Sequence, residues 1–192
     1  MSIATKKDLQ LIRLIDGNLR PNYTGLARKL GVSHTAIVKR VGKLLNMDLV
    51  RFSPLINVEK FNFRLVFILM EVTSDEYIDK LITRFRGCPR IISMFKVLGE
   101  YNLAVLVYAE DESVLNAILG TCMLRTAEGI RRSVVIPITS VLIGKYLSVR
   151  IPTKKLAKTP CGLVCSECRK YLRNECVGCP STTYYRGFFA TI

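Results

Sequence analysis

The period of the hydrophobic residues changes along these 192 residues, and that change constrains the fold more than any single motif does. Over residues 5–50 apolar side chains recur at helical spacing. Over 63–148 they form short strand-like runs interleaved with two helical stretches. Beyond residue 160 cysteine takes over from them. Each period demands a different way of burying a face, so the chain reads as segments in series. No apolar run approaches the roughly 20 residues that span a bilayer. The opening MSIATKKDLQ has no apolar core before a cleavage site. The expectation is a cytoplasmic protein with no membrane partner.

The first segment reads as three helices. Leu9, Ile12, Leu14 and Ile15 mark the inner face of one, bracketed at its end by Gly17 and Pro21. Asn22 suits the N-cap of a second, from about Tyr23 to Leu30, with Leu26, Ala27 and Leu30 inward. Gly31 breaks it, and Ser33 caps a third from His34 to about Asn46, with Ile37, Val41, Leu44 and Leu45 as its buried stripe. Two helices joined by a short Gly-Val-Ser turn are a helix-turn-helix signature. Leu49–Phe52 and Leu55–Val58 look like short strands around Ser53-Pro54.

Charge gives this segment a partner. Of a net +14 for the chain, the first 62 residues carry +7, residues 63–150 carry +2 and residues 151–192 carry +5. Such a field favours a polyanion, and a helix-turn-helix makes double-stranded DNA the expected one. The N-terminal end of the third helix would enter the major groove. Ser33, His34 and Thr35 lie at that end, and Val38 is placed to meet a thymine methyl. Lys39 and Lys43 are placed for phosphates, as is the backbone near Tyr23 and Thr24. Gly42 weakens the helix by about 1 kcal/mol relative to alanine. Close approach of DNA or of another helix would explain it.

The middle segment alternates. Strands are expected over Leu65–Val72, Ile91–Leu98, Leu103–Ala109 and Arg131–Ile138, and helices over Asp75–Arg86 and Glu112 to about Leu124. This β-α-β-β-α-β order is the ferredoxin-like arrangement. Its strands carry more apolar surface than two helices on one face would cover, so the other face should pack on a second chain.

The last 32 residues cannot build an ordinary core and need a staple. Five of the seven cysteines lie there, as Cys161, Cys165, Cys168, Cys176 and Cys179. Two C-x2-C pairs can give four thiolates to a tetrahedral Zn²⁺, and five close cysteines ending in Cys-Pro equally suit an iron–sulfur cluster. Any four of the five complete either site. Zinc as a structural staple is the preferred cofactor, and disulfides suit a reducing compartment poorly. Arg169, Lys170 and Arg173 should lower thiolate pKa values. Cys88 and Cys122 sit in apolar stretches as ordinary buried residues. Tyr184, Tyr185, Phe188 and Phe189 should cover the site or dock on the middle segment.

The stretches DLQLIRLIDGNLR, LARKLGVS, VKRVGKLLNMDLVR and GEYNL resemble the Lrp/AsnC (feast/famine) family of prokaryotic transcription regulators. The resemblance covers residues 5–148. It implies an α+β chain with an N-terminal winged helix-turn-helix and a ferredoxin-like βαββαβ (RAM-type) domain. It also implies homodimers that assemble into tetramers or octamers, and a small-molecule effector. In that family a turn of the form Gly-Asp-Tyr-Asp lies near the effector. The matching residues are Gly99, Glu100, Tyr101 and Asn102, with Asn102 in place of the second acid. The tail departs from the family. It resembles a small cysteine-rich prokaryotic domain with the pattern CGxxCxxC followed by CxGC, which implies a metal site. The expected organisation is a DNA-binding domain over 1–62, an αβ effector and oligomerisation domain over 63–150, a linker over 151–160 and a Cys-rich metal-binding segment over 161–192. The expected function is sequence-specific transcription regulation without catalysis, with a metal or redox response through the tail. The alternative is an iron–sulfur or siroheme decarboxylase-like protein on the same fold. The single histidine, His34, lies on the recognition helix and leaves that chemistry short of groups.

Overall fold

A computed structural model describes residues 5–15, 22–121 and 124–190. Gly17, Pro21 and Cys122 lie outside the described residues. The chain divides into two compact units, one ending at Ser53 and one beginning at Pro54.

The first unit holds α1 (Lys6–Ile15), α2 (Tyr23–Leu30) and α3 (His34–Asn46). A reciprocal cap starts α1. The Thr5 hydroxyl accepts from the Asp8 N–H, and the Asp8 carboxylate accepts from the Thr5 N–H at 2.9 Å and the Thr5 hydroxyl at 2.7 Å. Asn22 accepts from the Gly25 N–H at the start of α2, and Ser33 from the Ala36 N–H at the start of α3. Gly31 ends α2 at φ +64°, a conformation that favours glycine. Leu11, Leu26, Ile37, Val41 and Leu44 form the core. Leu9 and Leu45 were expected inside but are exposed, because Leu11 and Leu44 set the inward faces of their helices.

No strand forms over Leu49–Phe52. Asp48 takes φ +51°, and the Leu49 N–H turns back to the Leu44 carbonyl. The donor a strand would use caps α3 instead, and Leu49 and Val50 pack on the helical core. The expected wing hairpin is thus replaced. Its second half, β1 (Ile56–Asn57), pairs antiparallel with β6 (Tyr146–Leu147) in the second unit. For the same reason the first unit ends before residue 62.

In the second unit β2 (Arg64–Val72), β3 (Ile91–Lys96), β4 (Leu103–Ala109) and β5 (Ile130–Ile138) form an antiparallel sheet in the order β3-β4-β2-β5. Helices α4 (Asp75–Phe85) and α5 (Glu112–Thr121) connect the strands, giving the expected β-α-β-β-α-β order. Val66, Ile68 and Met70 of β2 and Val105 and Val107 of β4 pack with Ile78, Leu81 and Phe85 of α4 and Val114 of α5. Ile82, expected inward, is 44% exposed. On the other sheet face Phe67 sits opposite Ile136 and Leu106, and Leu69 opposite Val134 and Ala104. Phe95, Val134 and Ile136 stay exposed on that face.

The stretch 151–160, expected to be a solvated linker, is built into the unit. Leu156 bridges Thr182, Lys155 donates to the Pro180 carbonyl, and Thr159 is buried. Backbone pairing with the tail, rather than its lysine content, decides its course. Downstream lie a 3₁₀ turn (Cys165–Glu167) and α6 (Arg169–Leu172). Among the described residues no helix is long and apolar enough to cross a membrane.

Candidate functional site

Three places carry chemistry. The first is the face of α3 turned away from the core of its bundle. His34, Thr35, Val38, Lys39 and Lys43 are all exposed there, as is Thr24 at the start of α2. Tyr23 is half-buried, with its ring edge-on to His34 at 6.2 Å. Ser33 is committed to capping, its hydroxyl also lying 3.2 Å from that of Thr35. A missed residue anchors this face from behind. Arg40 forms an ion pair of 2.7 Å with the buried Asp8 carboxylate and so ties α3 to the start of α1. The Thr5 hydrogen bonds, with Arg40 adding to them, hold the Asp8 carboxyl down at about 2. A Cβ on Gly42 would meet nothing within 4 Å among the described residues, so no described helix crowds it.

The second place is the turn at Gly99–Asn102. Asn102 faces Val72 with both ends of its amide. Its Oδ1 accepts from the Val72 N–H and its Nδ2 donates to the Val72 carbonyl, both at 2.7 Å. This residue is therefore occupied in closing the end of the sheet. Glu100 is exposed, 3.5 Å from Arg132, and the Arg132 guanidinium lies 5.0 Å from the Tyr101 ring centre. Arg132 also pairs with Glu71 at 2.7 Å, and that contact lowers the Glu71 pKa.

The third place is a cavity of about 110 Å³ between the tail and the helix-bearing side of the sheet. All five tail cysteines line it, joined by Cys88 from the turn before β3. None is in a disulfide. Among the described residues no three Cys, His, Asp or Glu side chains converge as tightly as a single bound ion requires. Two of the thiols, Cys176 and Cys179, are perturbed opposite to expectation. Burial pushes Cys176 up, and Cys179 up to about 12. The expected lowering by Arg169, Lys170 and Arg173 is absent at these two. Lys170 is engaged with Glu175 at 2.5 Å, and Arg169 and Arg173 are solvent-exposed.

Arg90 and Glu110, both missed, fasten the tail beside this cavity. They form an ion pair whose side chains are each 7% exposed. Arg90 Nη2 donates to the Gly178 carbonyl at 2.6 Å, and the Tyr185 hydroxyl donates to Glu110 at 2.8 Å. Gly178 sits between Cys176 and Cys179 at φ +85°, and a Cβ there would come 2.9 Å from the Tyr184 carbonyl. Only glycine fits that loop. Tyr185 and Phe189 are buried against Phe63 and Tyr108, Phe188 leans on Phe61 at 5.0 Å, and Tyr184 meets Tyr171. Tyr185, Phe188 and Phe189 thus dock on the αβ domain, while Tyr184 packs within the tail. The buried Tyr108 hydroxyl finds no hydrogen-bond partner among the described residues. The sequence signal for Arg90 and Glu110 was a charged residue at the end of an apolar strand run.

Residues 65–144 match the family model of the Lrp/AsnC ligand binding domain. The chain is similar to the HTH-type transcriptional regulator Ptr1 of Methanocaldococcus jannaschii, 24% identical over 113 residues, 58% of this chain and 76% of that protein. It is likewise similar to the HTH-type transcriptional regulator LysM of Saccharolobus solfataricus, 25% identical over 112 residues, 58% of this chain and 78% of that protein. Among solved structures it shares its fold with the leucine response regulatory protein LrpA of Mycobacterium tuberculosis, with a TM-score of 0.65 and 22% identity over 74% of this chain and 97% of that one. It also shares it with E. coli AsnC, with a TM-score of 0.61 and 17% identity over 74% of this chain and 97% of that one. About a quarter of this chain lies beyond either structural match.

Proposed function

We infer that this chain is a DNA-binding transcription regulator of the Lrp/AsnC type whose cysteine tail adds a thiolate metal site, zinc or iron–sulfur. The exposed face of α3 carries the first part of that reading. His34, Thr35 and Val38 are presented for base edges, while Lys39 and Lys43 point phosphate-binding charge outward on the same helix. The Asp8–Arg40 pair fixes the helix from its far side. Gly42, with open space at its Cβ, lets a duplex backbone come close. Two such helices about one turn of DNA apart, roughly 34 Å, would read a palindrome, so a dimer is part of the reading. The exposed apolar face at Phe95, Val134 and Ile136 is the surface offered to the second copy.

The turn at 99–102 is the weaker candidate for an effector, because the Asn102 amide is already used by Val72. A haem-pathway enzyme is not favoured. The chain's one histidine is held against Tyr23 on the recognition helix, and the similar proteins are named as regulators.

The test is binding to duplex DNA across a salt series. Affinity should fall steeply with salt, and Lys39→Ala and Lys43→Ala should each lower the slope by about 1. His34→Ala or Thr35→Ala should narrow the gap between specific and non-specific duplex while leaving the slope alone. Binding that is absent, or indifferent to salt and to both lysines, overturns the reading.

A further inference from the structure

Six cysteines lining one apolar cavity are more than a structural zinc needs. Five come from the tail and one, Cys88, from the αβ domain. The rest of the wall is largely the core of that domain, with Ile68 and Val107 from the sheet, Phe85 from α4, and Ala117 and Ile118 from α5. No histidine or carboxylate is among the described lining residues. An all-sulfur, apolar site selects soft metals and clusters over hard cations.

Size then separates the soft candidates. A four-coordinate zinc draws its sulfurs in to about 2.3 Å from one ion, which leaves no volume among them. Here the cysteines are among the residues lining about 110 Å³, where one water needs roughly 10–15 Å³. That is room for a multi-atom group. The four cysteines of the two C-x2-C loops all line this cavity. Cys165 and Cys168 flank one tight turn, the Cys168 N–H bonded to the Cys165 carbonyl. Cys176 and Cys179 flank the turn at Gly178, which Arg90 pins to the end of the sheet. Cys161 lies outside both C-x2-C loops, its Sγ 3.1 Å from the Thr159 hydroxyl, while the Cys165 Sγ accepts from the Thr182 hydroxyl at 3.8 Å.

We propose that this cavity is an iron–sulfur cluster site, with Cys165, Cys168, Cys176 and Cys179 as the ligands, and that its occupancy is the input the ligand-binding domain reads. The proposal rests on the regulator reading above and gives that regulator its signal. Taking up a [4Fe–4S] cluster from a thiolate-ligated donor is ligand exchange: each new Fe–S bond replaces one to a donor thiolate, which leaves with the cysteine's proton, and no electron is transferred. The group would seat directly on α4, α5 and the sheet, so its presence bears on the packing of the whole domain.

The experiment is iron, sulfide and zinc analysis of the full chain purified without oxygen, with an absorption spectrum and duplex binding on the same sample. About four iron and four sulfide per chain with broad visible absorption are expected. Cys165→Ser and Cys179→Ser should lose that absorption, while Cys88→Ser and Cys161→Ser keep it. Duplex affinity should differ about tenfold or more between loaded and cluster-free protein, a typical coupling. A colourless protein with one zinc per chain overturns the proposal, as does a metal-free protein whose thiols all react. Iron retained by both serine variants overturns the ligand assignment, and equal duplex affinities overturn the input role. If the cluster is present but duplex binding is absent, the DNA reading falls and the cluster site stands.

Discussion

Replacing Asn102 by aspartate isolates what the turn does. The asparagine amide makes two hydrogen bonds of 2.7 Å to Val72, one as acceptor and one as donor. Aspartate keeps the acceptor and loses the donor. It then sets a carboxylate against the Val72 carbonyl, in backbone that is largely withdrawn from water. A buried carbonyl left unpaired costs about 1–3 kcal/mol, and the stronger bond from the Val72 N–H to a charged acceptor recovers part of that. The net expectation at pH 7 is a loss of about 1–2 kcal/mol, or roughly 3–8 °C in melting temperature for a unit of this size. Protonation reverses it, because a neutral carboxyl can donate to the carbonyl again. The variant's carboxyl should therefore have a raised pKa in the folded state. A raised pKa means its favourable form is present below the unfolded value of about 3.9 and is lost as pH rises through the folded value. The assay is thermal unfolding by circular dichroism of the wild-type, Asn102→Asp and Asn102→Ala proteins at pH 7 and pH 5. The Asn102→Asp deficit should shrink at the lower pH while the Asn102→Ala deficit stays. An Asn102→Asp deficit that is constant or grows on acidification would refute the argument, as would an Asn102→Ala protein as stable as wild type.

Three further outcomes are expected. The Asp8 carboxyl is held at about 2, below its ordinary 3.8, so its stabilisation is present above about pH 4 and fades as pH falls toward 2. Asp8→Asn should melt below wild type at pH 7, with the gap closing between pH 4 and pH 2 in a circular-dichroism titration. Arg90→Met should cost about 3–5 kcal/mol in denaturant unfolding by stranding Glu110, and Arg90→Met with Glu110→Leu should cost less than the single change. Ile136→Asp, on the exposed sheet face, should convert dimer to monomer in sedimentation velocity, and an unchanged mass would remove that face from the interface.

The elements were legible in the sequence wherever apolar period and caps agreed. Asn22, Gly31 and Ser33 mark the limits of α2 and α3 at the residues where the structure has them. The strands of the sheet follow their apolar runs to within a few residues. What failed depended on contacts between distant residues. Leu49–Phe52 has strand composition, but its amide is used by α3. The lysines and prolines of 151–160 suggest a solvated stretch, but Leu156 finds Thr182 across the fold. Within the candidate sites, the cysteine spacing picked out the tail, yet no local pattern linked Cys88, Arg90 and Glu110 to it. Cys88 and Arg90 reach the cavity, and Glu110 reaches Arg90, only because the start of β3 and the end of β4 lie beside it. The sign of the thiol perturbation was misread for a related reason. Nearby positive charge is visible in a sequence, whereas burial is a property of the folded chain.

The Arg90–Glu110 pair sets a limit on modularity. Its guanidinium holds the Gly178 carbonyl, its carboxylate holds the Tyr185 hydroxyl, and Tyr185 and Phe189 roof the aromatic cluster on Phe63. Cutting the chain near residue 150 would open that cluster and leave a charge pair at a newly wetted edge, so the remainder would not be a trimmed version of its shorter relatives. A tail transplanted onto another αβ domain would need an arginine and a glutamate at the matching strand ends to hold it. The cysteine segment and the strand ends that hold it thus form one unit, and exchange experiments should move both parts together.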